Sequence, residues 1–183
     1  MNHRVYRKPA ISRVPSEGTP QVRWFLDIDG TISPYGLAVP WDGATLYGNR
    51  PNSDLAVPYR REVVDGIQRI SQREGLEVVW LTTWNHDEVQ AWSEAGLGPF
   101  RAIGRRRAGR DRWWKAQAVQ RWMHTHPHGR AIWTDDDISM GGLRGLDRTR
   151  LLAIAPDPAV GLRTKDLARI ERWIAAPQSR PAV

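Results

Sequence analysis

Short apolar segments alternate with amphipathic segments from Val22 to the end of the chain. The apolar segments predict strands over residues 22–28, 76–81, 100–103, 130–134 and 151–155. The amphipathic segments predict helices over residues 59–74, 87–95, 111–124 and 164–175, the last with Thr164 as N-cap. Because strands alternate with helices, we expect an α/β fold in which helices cover both faces of a parallel sheet.

Two parts of the chain interrupt this alternation. Residues 1–20 are basic, and three prolines and a glycine break any periodicity, so we interpret them as a flexible arm. Residues 32–58 are rich in Pro, Gly and Asn. A connection of this length inside a compact domain is more often functional than structureless. We expect residues 32–58 to form a flap or small β-hairpin over the polar site described next.

Length and composition narrow the classes of protein that need considering. The 183 residues suit one domain with a sizeable core, over residues 21–176, followed by a tail over residues 177–183. The absence of cysteine excludes disulfides, zinc–thiolate sites and a thiol nucleophile. No apolar run approaches the roughly 18 residues that span a bilayer, and residues 1–20 lack the apolar core of a secretory signal. We expect a cytoplasmic protein without a membrane partner, whose oligomeric state the sequence does not indicate.

Two carboxylates stand at the end of the first predicted strand, in the segment WFLDIDGT that begins at Trp24. Because the backbone turns where a strand ends, and Gly30 permits a sharp turn, Asp27 and Asp29 can both reach one site. Such a pair suits a hard divalent cation, and also a covalent nucleophile with a general acid. For this motif alone, the alternative is an acidic turn without a function.

A hydroxyl group and an ammonium group follow at later positions. Thr82 comes directly after the strand predicted over residues 76–81, beside backbone N–H groups where a phosphate oxygen would bind. A threonine here is usually a helix N-cap, which is the alternative for Thr83. Lys115 lies in the helix predicted over residues 111–124, where it would neutralise a phosphoryl group and a carboxylate together. The alternative for Lys115 is a solvated surface lysine.

Three consecutive acids, Asp135, Asp136 and Asp137, follow the strand predicted over residues 130–134. Carboxylates this close repel one another, and a bound cation is the simplest remedy. An acidic helix start is the alternative, but residues 138–142 do not continue well as a helix. Open α/β sheets bind ligands at the carboxyl ends of their strands, which is where these acids would lie.

The order of acid pair, hydroxyl, lysine and acid cluster resembles the haloacid dehalogenase (HAD) superfamily of phosphohydrolases. Asp27 to Thr31 reproduce its first motif, D-x-D-G-T, and the resemblance extends from Val22 to about Ala175. It implies a Rossmann-like three-layer sandwich with a central parallel sheet and a small flap or minimal cap after the first strand. It also implies a phosphatase in which Asp27 forms an aspartyl-phosphate and Asp29 is the general acid and base.

The resemblance implies roles for the other site residues. Thr82 would hold the transferring phosphoryl group, and Lys115 would steady it beside Asp27. The implied Mg²⁺ ligands are Asp27, Asp135, the backbone carbonyl of Asp29, and Asp136 directly or through water. The run of three acids leaves this ligand assignment open by one residue. Further candidates for substrate binding are Thr31, Thr83 and Tyr35.

Three local segments resemble one branch of the superfamily more loosely: residues 33–36, which include Tyr35, residues 81–84 and residues 133–137. This branch contains the HAD domains of Swiss Army knife RNA-repair proteins, and polynucleotide kinase-phosphatases are more distant relatives. The resemblance implies removal of a terminal phosphate from RNA or DNA. A nucleotidase or a phosphatase of small phosphate esters is the alternative.

The charge of the chain favours an anionic partner. The formal net charge is +7, and a basic cluster precedes Lys115, which would track a phosphodiester backbone. A solvated loop is the alternative for this cluster. Its members are Arg101, Arg105, Arg106, Arg107, Arg110 and Arg112. Candidates to stack a base are Trp41, Trp84, Trp113 and Trp114, although most of the ten tryptophans would fill the core. A function of another class, a non-catalytic nucleic-acid-binding module on a HAD scaffold, also fits the charge.

Overall fold

The computed structural model describes residues 21–35, 44–49, 56–104 and 114–176. The strands are β1 (Val22–Leu26), β2 (Ala44–Asn49), β3 (Ala56–Arg60), β4 (Leu76–Leu81), β5 (Arg101–Ile103), β6 (Arg130–Thr134) and β7 (Leu151–Ile154). The helices are α1 (Arg61–Ser71), α2 (His86–Gln90), α3 (Trp114–Thr125) and α4 (Thr164–Ala175), with a short 3-10 helix over Ala91–Ser93. Within these ranges, no helix has the length and apolar character needed to cross a membrane.

Five strands form one parallel sheet in the order β5-β4-β1-β6-β7. The central strand is β1, in which Val22 pairs with Leu76 of β4 on one side and Arg130 of β6 on the other. The chain runs from β1 outward to β4 and β5, and then crosses back to β6 and β7. The carboxyl ends of β1 and β6 therefore adjoin where the strand order reverses, which is where α/β sheets open a crevice for ligands.

Side chains of β1 alternate between the two faces of the sheet, as the period of a strand requires. Trp24 and Leu26 are fully buried in the core cluster that also contains apolar residues of α1 and α4. Phe25 is fully buried in a second cluster, which it shares with apolar residues of α3. The sheet is thus a middle layer between helices on both faces, and the predicted three-layer α/β class is confirmed.

The helix predicted over residues 59–74 begins later, at Arg61, because the preceding residues form β3. Val57 and Tyr59 are both buried on either side of Pro58, which is the alternation of a strand. The Tyr59 ring lies 5.6 Å from the Trp92 ring, edge to face. β3 pairs antiparallel with β2. The small β-hairpin expected within residues 32–58 is therefore present, and it extends to Arg60; residues 36–43 and 50–55 lie outside the described residues.

Other predicted bounds differ in smaller ways. The first strand ends at Leu26, not at residue 28, because the backbone turns directly after Asp27. The helix predicted over residues 87–95 is α2 followed by the 3-10 helix. Thr164 is the first helical residue of α4 and Arg163 the N-cap, with its backbone N–H donating to the Asp166 carboxylate at 3.0 Å. The predicted arm and tail, and residues 111–113 of the third predicted helix, lie outside the described residues.

Candidate active site

Asp27 lies at the carboxyl end of the central strand and is 4 % exposed. Its backbone N–H donates to the carbonyl of Thr134 at 3.0 Å, which continues the pairing of β1 with β6 past the last strand residue. The next residue of the β6 chain, Asp135, is fully buried. The two carboxylates that sequence reasoning assigned to different motifs are therefore neighbours across adjacent strands.

A tight turn follows Asp27 and brings the chain back to the same edge of the sheet. The carbonyl of Ile28 accepts from the backbone N–H groups of Thr31, Ile32 and Ser33 at 3.1, 2.9 and 3.0 Å. Gly30 has a φ of +64°, in the left-handed region that favours glycine. A Cβ at this position would overlap the side chain of Asp136. Glycine is required here both by the turn and by the close approach of the acid cluster.

Lys115 joins the two buried carboxylates. Its Nζ lies 2.5 Å from Oδ2 of Asp27 and 2.8 Å from Oδ2 of Asp135. The lysine side chain is only 18 % exposed, so the surface-lysine alternative is wrong. Burial lowers the pKa of Lys115, but the charges of Asp27 and Asp135 outweigh burial and the pKa lies above its ordinary value. Lys115 is accordingly a fixed positive charge between two acids.

Asp135 also accepts two N–H groups from its own segment. The backbone N–H of Asp137 donates to Oδ1 at 3.0 Å, and Nε1 of Trp133 lies 3.3 Å from Oδ2. These contacts hold a carboxylate that has no exposure to water. Asp137 contributes its backbone to this arrangement, and its own side chain is exposed.

Three carboxylates, those of Asp27, Asp135 and Asp136, form a group in which one oxygen from each lies within 4.8 Å of the others. Burial, followed by the charge of Asp135, raises the pKa of Asp27 to about 7, although Lys115 opposes this rise. Burial and Asp135 also raise the pKa of Asp136. One ammonium group thus faces three crowded carboxylates. A further cation would relieve their repulsion, and an all-oxygen donor set is what Mg²⁺ prefers.

Asp29 has a different environment from Asp27. Its carboxylate is half-buried and lies outside the group of three carboxylates. Oδ2 of Asp29 accepts a hydrogen bond from Nε1 of Trp84 at 2.8 Å. The predicted backbone-carbonyl ligand at Asp29 stays a prediction. The side chain is available for another task, since it is neither paired with Lys115 nor grouped with the candidate metal ligands.

The two hydroxyls after β4 are placed differently. Thr82 is fully buried, and its Oγ1 accepts from the backbone N–H of Trp84 at 3.3 Å. Thr83 is exposed and lines the cleft described below. The N-cap of α2 is Asn85, whose side chain accepts from Glu88 N–H at 3.0 Å, so the N-cap alternative for Thr83 is wrong. The phosphoryl-binding role predicted for Thr82 stays a prediction.

An open cleft of about 350 Å³ adjoins these groups. Tyr35, which is 53 % exposed, stands at its edge. Burial and then the surrounding carboxylates, Asp29 first, raise the pKa of Tyr35 to about 12, so its phenol stays protonated and can donate a hydrogen bond. The residues that line this active-site cleft include Asp27, Asp29, Tyr35, Thr83, Lys115, Asp135, Asp136 and Asp137, together with Trp114, one of the predicted base-stacking candidates.

Some predicted site residues do not reach the cleft. Thr31 is fully buried, and among the described residues its hydroxyl has no hydrogen-bond partner. Its carbonyl instead accepts from Leu162 N–H at 2.7 Å, so Thr31 supports the turn structurally. Trp84 is only 3 % exposed, which corrects its prediction as a base-stacking surface. Within β3, none of residues 57–60 lines the cleft. The structure describes none of Arg105, Arg106, Arg107, Arg110, Arg112, Trp41 and Trp113.

A family model described as the HAD domain in Swiss Army Knife RNA repair proteins matches residues 24–167. The chain belongs to this family. Membership of the HAD family agrees with the geometry, because the matched segment contains the acid pair, Lys115 and the acid cluster. It supports a phosphatase in general terms, and Mg²⁺ is typical of the family.

Among solved structures, the HAD domain of the effector protein Lem4 from Legionella pneumophila resembles this HAD domain. The TM-score is 0.57, with 18 % sequence identity, over 87 % of this chain and 96 % of that chain. At this identity the likeness shows the fold alone. A search of curated proteins finds no match to the chain.

One contact of the candidate site is not indicated by the sequence pattern, namely the hydrogen bond from Trp84 to Asp29. An aromatic residue that follows a buried strand is usually a core residue, and Trp84 is indeed buried against Trp92, with ring centroids 6.3 Å apart. The indole N–H group is what indicates such a contact in a sequence, because a buried Trp N–H usually donates a hydrogen bond. Trp133 gives the same signal, because its N–H approaches Asp135.

Proposed function

We propose that this protein is a Mg²⁺-dependent phosphatase that acts through an aspartyl-phosphate and removes a terminal phosphate from a nucleic acid. The observation that carries the proposed chemistry is that the carboxylates of Asp27 and Asp29 have different environments. Asp27 is buried against Lys115 beside two further carboxylates, whereas Asp29 is held separately by Trp84. This difference supports Asp27 as the nucleophile and Asp29 as the proton donor.

These two environments support a reaction in two steps. An oxygen of ionised Asp27 attacks phosphorus, the bond from phosphorus to the leaving oxygen breaks, and that oxygen takes a proton from Asp29. Water then attacks the phosphorus of the aspartyl-phosphate and gives a proton to Asp29. The bond from phosphorus to the Asp27 oxygen breaks, and inorganic phosphate leaves. Lys115 offsets the negative charge of both steps.

Asp27, Asp135 and Asp136 would hold Mg²⁺. When bound, the cation supplies charge neutralisation for a carboxylate and a phosphate that must approach one another. Phosphoryl transfer depends chiefly on such neutralisation and on alignment of the reacting atoms. The described side chains support both, because the carboxylates, the lysine and the cleft all meet at the end of β1.

The nucleic-acid substrate is supported by the family and by the sequence. The family model is named after RNA repair proteins, and the chain carries a formal net charge of +7. Arg105, Arg106 and Arg107 precede the helix that carries Lys115 along the chain, which suits contact with a phosphodiester backbone. A free nucleotide or another small phosphate ester is the alternative substrate.

The chemistry is tested by hydrolysis of p-nitrophenyl phosphate with Mg²⁺ and with a chelator. We expect turnover only with the metal, and none by Asp27→Asn. Asp137→Asn is the matched control, because Asp137 lines the same cleft but lies outside the group of three carboxylates. Turnover by Asp27→Asn at the wild-type rate, or no turnover by the wild type, would contradict the proposal and would favour a non-catalytic binding module.

The substrate class is tested with RNA and DNA oligonucleotides that carry a 3′ or a 5′ phosphate. We expect their turnover to weaken steeply with salt, and replacement of Arg105, Arg106 and Arg107 by Ala to flatten this dependence. A control variant replaces three exposed arginines elsewhere, Arg144, Arg148 and Arg169. An equal effect of both triple variants would remove the assigned role of the cluster.

A further inference from the structure

A second and larger cleft lies beside the active-site cleft. Its volume is about 660 Å³, against about 350 Å³ for the first. Thr83 lines both clefts, so they adjoin at the segment that follows β4. Volumes of ~300–1,000 Å³ are typical of small-molecule sites. The active-site cleft is large enough for a phosphoryl group and its immediate attachments, and the second cleft has room for a larger group.

Trp84 connects the second cleft with Asp29, the proposed general acid. Trp84 is a lining residue of this cleft, and its Nε1 donates to Oδ2 of Asp29 at 2.8 Å. In the proposed reaction, Asp29 protonates the oxygen of the leaving group. That oxygen must therefore approach Asp29, whose carboxylate is bonded to a residue that borders the second cleft.

The lining of the second cleft combines an aromatic ring with polar side chains. Phe100 is half-buried and is held by Trp80, with ring centroids 5.3 Å apart. His86 and Gln90 are exposed and come from α2, on the same cleft. An aromatic side chain provides a stacking surface for a base, and imidazole and amide groups can bond to the polar edges of a base.

Arg101 also borders this cleft, but its side chain is directed to the other face of the sheet. Phe100 and Ala102 pack against the core cluster that contains Trp80, whereas the Arg101 guanidinium lies 3.5 Å from Oε1 of Glu77, on the face of Val79 and Leu81. The polar side chains that can meet a ligand in the cleft are therefore those of His86 and Gln90. The composition of the cleft matches a nucleotide better than a sugar phosphate, which needs no stacking surface.

We propose that this second cleft binds the nucleoside that carries the scissile phosphate, with its base against Phe100 and the polar edge of the base toward His86 and Gln90. The proposal rests on the proposed function, because it assumes that Asp29 protonates the leaving oxygen. It adds a place for the leaving group and a physical basis for preferring nucleotides to other phosphate esters.

Gly104 offers a way to obstruct the cleft with little risk to the fold. It lines the cleft, and a Cβ at this position would meet nothing within 4 Å. Gly104→Trp would therefore fill the cleft, and Gly104→Ala is a matched control that leaves it open. The substrates are nucleoside 3′- and 5′-monophosphates and, as a small ester without a ring, glycerol 2-phosphate.

We expect Gly104→Trp to lower kcat/KM for the preferred nucleoside monophosphate at least about tenfold, mainly through KM, because a blocked subsite removes substrate binding. Turnover of glycerol 2-phosphate should stay within about twofold of wild type, as should both substrates with Gly104→Ala. Phe100→Leu and His86→Ala should act selectively in the same direction. His124→Ala is the control for His86, since His124 is an exposed residue of α3 outside this cleft.

The outcomes separate this inference from the proposed function. If wild type hydrolyses no ester, the proposed function fails and the inference falls with it. If wild type hydrolyses both esters, and Gly104→Trp lowers both equally or neither, the inference alone is overturned. A loss confined to nucleoside monophosphates supports it.

Discussion

Nε1 of Trp84 donates a hydrogen bond to Oδ2 of Asp29 at 2.8 Å. The side-chain partner of Asp27, two residues earlier, is Lys115, whose Nζ lies 2.5 Å from Oδ2. Two carboxylates of the same type, in one short turn, thus have a neutral partner in one case and a cationic partner in the other. These different partners support the different chemical tasks proposed for the two acids.

Trp84→Phe should slow the reaction most for poor leaving groups. Phenylalanine keeps most of the packing against Trp92 but removes the donor that orients Asp29. Because an alkoxide needs a proton in order to leave and p-nitrophenolate scarcely does, we expect kcat to fall about tenfold or more for glycerol 2-phosphate and less for p-nitrophenyl phosphate, within the ~10²–10⁴-fold contribution of general acids.

The control for this change is Trp122→Phe, which alters a buried indole in the second core cluster, where Trp122 packs edge to face on Phe25. If Trp84→Phe lowers kcat equally for both esters, or if Trp122→Phe has the same selectivity, Trp84 does not position the acid.

Lys115→Met should lower kcat by about 10²–10³-fold, the range for loss of one group that stabilises transition-state charge. The methionine keeps much of the side-chain volume while removing the charge between Asp27 and Asp135. Steady-state kinetics with saturating Mg²⁺ measure the effect. Lys165→Met, at an exposed position of α4, should leave kcat unchanged, and a comparable loss in both variants would argue against a role for Lys115 in the reaction.

Stability of the metal-free protein should depend on the ionisation of Asp27. Burial and the charge of Asp135 raise the pKa of Asp27 from 3.8 to about 7. Between these two values the folded state holds a proton that the unfolded chain has lost. The contribution of Asp27 to stability is therefore greatest below pH about 4 and is lost as pH rises toward 7.

Thermal denaturation in the presence of a chelator, from pH 5 to pH 8, measures this dependence. We expect the melting temperature of the wild type to decline over this range, and Asp27→Asn to flatten the decline because asparagine does not titrate. When Mg²⁺ replaces the chelator, the decline in the wild type should become smaller. A decline of the same slope in Asp27→Asn would assign it to other groups.

Gly30→Ala should destabilise the fold by at least about 1 kcal/mol, since a residue with a Cβ pays roughly 1–2 kcal/mol in the left-handed region. The added Cβ would also displace the Asp136 side chain. The Mg²⁺ concentration needed for half-maximal activity should therefore rise along with the fall in melting temperature. Gly104→Ala, where the Cβ meets open space, should change neither quantity.

Much of this site could be predicted because strand ends are visible in a sequence. Asp27, Thr82 and Asp135 each directly follow a strand of the parallel sheet, and parallel strands bring such positions to one edge. Lys115 was harder to assign, since the spacing of a helix does not reveal which carboxylates its lysine meets. Its contacts with Asp27 and Asp135 depend on how α3 packs on the sheet.

Other features depended on tertiary contacts that no local pattern reveals. Tyr59 was assigned to a helix because its neighbours have helical spacing, but its burial against Trp92 fixes it in β3. The hydrogen bond of Trp84 was missed because the same residue satisfies a core pattern. The second cleft is bordered by residues of β5 and α2, which are separated along the chain, so only the fold brings them together.

Because β1 lies between β4 and β6 in the sheet, a break in the chain between β4 and β6 would divide the candidate active site between two fragments. A break after Gly104 would leave Asp27, Asp29 and Thr82 on one fragment, and Lys115 and Asp135 on the other. Neither fragment contains both members of the Lys115–Asp27 pair. Phosphatase activity would return only when β6 re-inserts beside β1, so turnover would serve as a direct readout of fragment complementation.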